Sequence, residues 1–454
     1  MTLATIGPNT QAATRTAERT RTGMHRRPLR FRSLPVILAA VAVVLLGLSV
    51  GWHGLRSHPA DRPGTASLPD EPIPPDASSL LDTGAEPDMT ADPDPSAVPP
   101  GSPPDVAGPV APGALPGPGA PSGGSGRPGG PIRPVDPGSC VVGPLLVPTC
   151  GVLWGVAPGA HTERRGAMAL REFENKTGRT QAVFHAYHRG TGGGVFPTAQ
   201  EIALAREPGR PRILFLNWKP AGASWAAIAE GDKATDAYLD RLAAHIRTAY
   251  PERFFFTVHH EPEDDVRDKP GSGYTAGDYA AMFRHVVRRL RAGGVRNLVS
   301  VVVHMAYVPL TSRPWFAEMY PGDDVVDWIG FDTYAYSEPG YGHGDFAELM
   351  NRRSSGRPHW PGFYNWAAGR FPHKPIMVAE WGVWHSERNP AHMARFYRSV
   401  GSQIGAFPRI KALVHFDTPA NQKGWDSRVD STPEGLAAYR SLSQLPVFRV
   451  AVRP

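Results

Sequence analysis

From Cys150 to the end of the chain, short apolar runs rich in β-branched and aromatic residues alternate with stretches whose apolar positions return every three to four residues. The runs are Val152–Val156, Thr180–His185, Arg212–Asn217, Phe254–His259, Leu298–His304, Val326–Asp332, Pro375–Glu380 and Lys411–Phe416. Their length and composition predict strands, and the intervening Arg164–Asn175, Ala234–Tyr250, Ala276–Arg291 and Pro390–Ser402 predict amphipathic helices. Strand–helix alternation of this kind demands a parallel sheet covered by helices. Eight repeats in about 300 residues, with no G-x-G-x-x-G after the first strand, predict a closed (β/α)₈ TIM barrel rather than an open doubly wound sheet.

That fold predicts where chemistry sits, because barrel enzymes build their sites at the carboxyl-terminal ends of the strands. The expected strand ends are loaded with polar and aromatic residues: Trp154; His185 and His188; Asn217, Trp218 and Lys219; His259, His260 and Glu261; His304; Asp332 and Tyr334; Glu380 and Trp381; His415 and Asp417. The strand cores contain almost nothing ionisable.

The first third of the chain follows another pattern. Leu34 to Val50 is a run of apolar and small residues without charge, directly after Arg26, Arg27, Arg30 and Arg32. At the short end of what spans a bilayer, it predicts a signal anchor over residues 34–51, with the basic segment 1–33 in the cytoplasm and the rest exported. A cleaved signal peptide is the alternative, with Ser49 and Gly51 as a weak cleavage site. Residues 57–139 contain no Tyr, Trp or Phe and are roughly a quarter Pro, which predicts a disordered spacer. The folded region then spans 140–454.

Charge divides along the same lines. Residues 1–56 carry +7, 57–139 carry −8 and 140–454 carry +7, giving +6 overall, so no uniform nucleic-acid-binding surface is indicated. The two cysteines, Cys140 and Cys150, lie close together at the start of the folded region; in an exported chain they predict a disulfide rather than a metal site.

Glu261 and Glu380 end the fourth and seventh strands, after apolar runs that must form barrel wall. A carboxylate placed so is costly unless it is hydrogen-bonded or functional. Strands four and seven face each other across an eight-stranded barrel, so both side chains can reach one cleft. Two carboxylates flanking a sugar-sized gap are what glycoside hydrolysis uses: one protonates the leaving oxygen, the other attacks the anomeric carbon or activates water. A structural salt bridge at the rim is the alternative for each glutamate taken alone.

With these residues in place, the chain from about Cys150 to Leu442 resembles glycoside hydrolase family 26, within the larger clan of retaining (β/α)₈ glycosidases. The resemblance rests on His260-Glu261 at strand four, on Ala379-Glu380-Trp381-Gly382 at strand seven, and on Val326-Asp327-Trp328-Ile329-Gly330-Phe331-Asp332-Thr333-Tyr334 at strand six. It implies that Glu261 is the acid/base, that Glu380 is the nucleophile, that His260 and Tyr334 orient substrate and nucleophile, and that Asp332 orders the acid/base side of the cleft. Against the mannan-cleaving members, Thr257-Val258 precede His259, Pro262-Glu263 follow Glu261, Trp218 is followed by Lys219, and His415-Phe416-Asp417 closes strand eight. The resemblance thus implies a β-linked polysaccharide while leaving the glycan, and endo or exo action, open.

Trp154, Trp218 and Trp381, with Trp384 beyond them, are candidate platforms for pyranose rings, and His185, His304 and Asp332 are candidate polar contacts to substrate. No cofactor or metal is required by this chemistry, and a monomer is expected. Two other classes fit the same strand ends: a metal-dependent barrel hydrolase or deacetylase drawing on His185, His188, His259, His260, His304 and Asp332, and a non-catalytic carbohydrate-binding barrel.

Overall fold

The eight strands form as the periodicity predicts. β1 (Leu153–Pro158), β2 (Val183–Arg189), β3 (Ile213–Lys219), β4 (Phe254–Val258), β5 (Leu298–Met305), β6 (Trp328–Tyr336), β7 (Ile376–Trp384) and β8 (Ile410–Asp417) pair in sequence order. All pairs are parallel and β8 closes on β1, so the sheet is a closed barrel. The computed structural model describes residues 140–452 apart from 161, 163–165, 193, 341–342, 355–356 and 422–423. The expected segments 1–33, 34–51 and 57–139 lie outside the described residues. Among the described residues, no helix is long and apolar enough to cross a membrane.

Ten helices accompany the strands among the described residues: α1 (Ala167–Thr177), α2 (Ala199–Ala205), α3 (Trp225–Ala229), α4 (Lys233–Ala249), α5 (Ala276–Ala292), α6 (Val308–Thr311), α7 (Phe346–Met350), α8 (Phe363–Arg370), α9 (Ala391–Gln403) and α10 (Pro433–Ser443). The long helices start where capping residues stand. Asp232 accepts from the Thr235 amide, and Thr275 with Asp278 forms a reciprocal capping box, each such cap contributing about 1 kcal/mol. Their apolar faces, such as Tyr279, Phe283, Val286 and Leu290 of α5, lie against the outer wall of the barrel.

Alternation along each strand separates two cores. Leu153, Val183, Ile213, Phe215, Phe255, Val299, Val301, Trp328, Met377, Ala412 and Val414 fill the barrel interior, whereas Trp154, Leu214, Trp218, Phe256 and Ile329 face the helices. Gly330 is required by this packing: a Cβ there would lie 2.9 Å from Val303 Cγ2 and 3.2 Å from the Val302 carbonyl oxygen.

The Cys140–Cys150 disulfide forms, closing a loop across ten positions of sequence. Leu146 and Cys140 pack into the interior core from the amino-terminal end of the strands, and the indole of Trp328 donates to the Leu145 carbonyl at 2.7 Å. The loop therefore plugs the end of the barrel opposite to where the strands deliver their polar residues.

One irregularity in β7 aims a functional side chain. Val378 pairs with Phe331, but the next partner, Asp332, pairs with Glu380, so Ala379 is an extra residue. The ladder with β8 shifts over the same stretch, Val378 opposing Leu413 and Trp381 opposing His415. Strict alternation after Ala379, which belongs to the interior core, would turn Glu380 outward. The bulge turns it inward and sends Trp381 out to the helices.

Candidate active site

Glu380 emerges from this bulge at 4% exposure. The Tyr187 hydroxyl of β2 donates to its Oε1 at 2.5 Å and the Tyr334 hydroxyl of β6 donates to its Oε2 at 2.6 Å. His260 Nε2 lies 3.6 Å from Oε1. Burial pushes the Glu380 carboxyl up to about 7, and the two phenolic hydrogen bonds oppose that shift by favouring the ionised form. Behind Tyr187 stands His185, which is stacked on Phe215 and places Nδ1 3.2 Å from the phenol oxygen. The phenol's single proton is committed to Glu380, so His185 Nδ1–H donates to Tyr187; burial holds this imidazole neutral, with its pKa near 3.

The turn after β4 carries the second glutamate in an uncommon backbone conformation. His259 and Glu261 have φ of 53° and 51°, in the left-handed region that disfavours non-glycine residues at a cost on the order of 1–3 kcal/mol each. Contacts from both neighbouring strands hold them there. The His259 amide donates to the Trp218 carbonyl at 2.9 Å, and the Glu261 amide donates to the Val303 carbonyl at 3.1 Å. The Trp225 indole donates to His259 Nδ1 at 3.2 Å, so the ring proton sits on Nε2 and is given to Asp265 at 2.7 Å. Lys219 reaches the same Asp265 oxygen at 2.9 Å. On the other side, Glu263 binds His304 Nδ1 at 2.7 Å and accepts from the Met305 amide at 3.1 Å. The 3₁₀ turn Pro262–Asp265 is thus fastened to β3 through Asp265 and to β5 through Glu263.

His260 is the link between the two glutamates. Its Nδ1 edge is held by the Asn217 side chain of β3, and one of its ring nitrogens lies with a Glu261 oxygen and an Asp332 oxygen in a group whose members are all within 4.8 Å of one another. Asp332 is 3% exposed, and no side chain makes an aligned hydrogen bond to its oxygens, although the Glu380 backbone lies beside them. Burial first, then the charges of Glu380, Glu261 and Glu263, raise its pKa well above the ordinary carboxylate range. Its environment therefore favours a neutral acid or a neighbouring cation.

The structure brings Glu261, Glu380, His260, Tyr334 and Asp332 together, and it corrects five expectations about substrate contacts. Trp154 and Trp381 are 1% and 0% exposed and pack against each other and Tyr439 on the outer face of the wall. Trp218, at 0%, stacks on Tyr238 and donates to the Gly190 carbonyl. Each lies on the outward parity of its strand, facing the helices. His185 is screened by Tyr187, and His304 is buried against Glu263, Phe316 and Trp366. Tyr187 was not among the expected site residues, and Asn217 stood at an expected strand end without an assigned role, although both share the inward parity of their strands. Trp384 lies at the mouth, packed against Tyr334 and the half-buried Trp425.

A closed parallel barrel with a carboxylate held by two phenols at the carboxyl-terminal end of β7, and a second glutamate after β4, has the layout in which glycosidases set their two carboxylates. Residues 232–353, which span β4 with its turn, β5 and β6 and stop short of β7, match the model described as glycosyl hydrolase family 26. It is in this segment, and not over the whole barrel, that the chain is similar to glycosyl hydrolase family 26. Similar proteins include endoglucanase H of Acetivibrio thermocellus, 28% identical over 237 residues that make up 50% of this chain and 24% of that protein. β-1,3-xylanase TXYA of a Vibrio species is 37% identical over 68 residues, 15% of each chain. The chain thus spans about a quarter or less of the length of these relatives. Among solved structures, a GH26 β-mannanase from Bacteroides ovatus aligns with a TM-score of 0.47 at 17% identity, covering 66% of this chain and 90% of that one. A modular endo-β-1,4-mannanase from Cellulomonas fimi aligns at 0.43 and 18%, covering 65% and 71%.

Proposed function

We propose that this protein is a retaining glycoside hydrolase that cleaves a β-linked polysaccharide by double displacement. The observation that carries the reading is the placement of His260: hydrogen-bonding distance from Asn217, 3.6 Å from Glu380, and grouped with Glu261 and Asp332 at one barrel mouth. Glu380, ionised and aligned by Tyr187 and Tyr334, attacks the anomeric carbon. Glu261 protonates the departing glycosidic oxygen, then deprotonates the water that releases the sugar. The names of the similar proteins, an endoglucanase and a β-1,3-xylanase, support a β-glycan backbone as the substrate class. The uncharged run Leu34–Val50 and its arginine flank support an extracytoplasmic barrel on a membrane-anchored or cleaved leader.

The test is nucleophile rescue. On a β-glycan panel that identifies a substrate, Glu261→Ala is expected to lose activity on unactivated glycosides and to yield a glycosyl azide of retained configuration when azide is supplied. Full activity of Glu380→Gln on that substrate, or an inverted product, removes the assignment. The metal-hydrolase alternative loses three of the histidines that suggested it. His185 and His304 are engaged away from the mouth, and His188 lies 3.2 Å from Glu201.

A further inference from the structure

We propose that His260, Glu261 and Asp332 form a binding site for one divalent transition-metal ion of the Zn²⁺ class, and that its occupation blocks the acid/base. Each residue offers one ligand atom, and the three atoms lie within 4.8 Å of one another. The independent pointer to a cation is Asp332: a carboxyl at 3% exposure, with both oxygens buried and no aligned side-chain partner for either. A positive ion is the ligand that such a group accepts most readily.

The donor set selects the ion. One imidazole nitrogen with two carboxylate oxygens is a combination zinc takes, whereas calcium and magnesium prefer oxygen alone. Zinc bonds of about 2.0–2.2 Å set tetrahedral ligands roughly 3.3 Å apart, so rotamer adjustments of about an ångström close the site. The outer partner also fits. A metal-bound imidazole donates its other ring N–H to an acceptor. Asn217 holds the Nδ1 edge of His260, and its Oδ1 is buried without a partner as the amide stands. A half-turn of that amide places Oδ1 on Nδ1–H, and the imidazole lone pair then sits on Nε2. The ion would occupy the oxygen of Glu261 on which the proposed proton transfer depends.

Zinc binding to the full chain, measured by titration calorimetry without any glycan, reads the site separately from the glycosidase reading. One saturable Zn²⁺ per chain is expected, removed by EDTA and weakened at least tenfold in both Asp332→Asn and His260→Gln, with circular dichroism showing that both variants are folded. Absence of saturable binding, or equal affinity in the wild type and both variants, overturns the site. On a substrate the wild type cleaves, saturating Zn²⁺ is expected to lower kcat/KM at least tenfold and EDTA to restore it. Stimulation by zinc overturns the blocking role.

Discussion

The Tyr187 hydroxyl lies 2.5 Å from Oε1 of Glu380, so the carboxylate at the end of β7 is gripped from β2 as well as by Tyr334 from β6. Two donors on opposite sides fix the carboxylate plane and stabilise its ionised form against burial. A hydrogen bond to a charged group contributes about 1.5–3 kcal/mol. Tyr187→Phe keeps the ring and removes the donor, so kcat/KM is expected to fall roughly 10- to 100-fold. The acidic limb of the pH profile is expected to move to higher pH, because the carboxylate loses support for its charge. An unmoved limb would show that Tyr187 only packs.

The same carboxyl gives stability a pH dependence of known sign. Its folded pKa is pushed up to about 7 from an ordinary value near 4.5, so between those limits the folded state binds more protons than the unfolded one. Its contribution to stability therefore declines as pH rises from 4.5 to 7 and is lowest above 7, while the proposed hydrolysis, which needs Glu380 ionised, is expected to rise through the same window. Glu380→Gln removes the buried charge. Its thermal midpoint is expected to exceed the wild type's by several degrees at pH 8 and by little at pH 5, while activity is lost. Equal shifts at both pH values would contradict the raised pKa.

Trp425 and Trp381 separate binding from packing among the tryptophans. Trp425 is half-buried beside Trp384 and Tyr336, in the aromatic group at the mouth that includes Tyr187 and Tyr334. Trp425→Ala is expected to raise KM severalfold with little change in melting temperature. Trp381→Ala opens a void between Trp154, Tyr397 and His415 and is expected to cost about 3–5 kcal/mol of stability. Melting curves and substrate titrations on the two variants decide between these effects.

That contrast shows where the sequence is legible. Eight apolar runs announce the strands because a parallel barrel buries both faces of its wall, and the positions of Glu261 and Glu380 follow from where those runs stop. The ends are harder to place. β2, β6 and β7 each continue four residues past the expected Val/Phe-rich segments, to Arg189, Tyr336 and Trp384, because polar and aromatic residues at the mouth still pair in the ladder. Ending strand two at His185 hides Tyr187. Parity alone would have placed Trp154 and Trp218 outside the wall, since their neighbours Leu153 and Asn217 point inward. Trp381 could not be placed that way: its direction is set by the extra residue Ala379, and a bulge is a property of strand pairing.

The left-handed residues of the β4 turn depend on Asp265, which accepts from His259 and Lys219 although its side chain is 40% exposed. In Asp265→Ala, the buried His259 Nε2–H loses its acceptor, at about 1–3 kcal/mol, and the turn that carries Glu261 is free to relax. A fall in kcat of about tenfold is expected from the loss of geometry. Asp265→Asn keeps an acceptor oxygen and is expected to recover most of the activity. Equal losses in both variants would point to the charge of Asp265 instead of its hydrogen bond.

The disulfide loop offers a change confined to the other end of the barrel. Cys140–Cys150 closes a short loop, for which chain entropy contributes about 3 kcal/mol. Leu146 enters the interior core from that loop, and Arg253 donates to the Pro144 carbonyl at 2.6 Å, so noncovalent contacts also hold it. Replacing both cysteines by serine is expected to lower the melting temperature by several degrees and to leave kcat and KM unchanged below the transition, because the strands separate the loop from Glu261 and Glu380. A proportionate loss of kcat at a temperature where circular dichroism shows the barrel intact would mean that the plug transmits strain through the wall to the mouth.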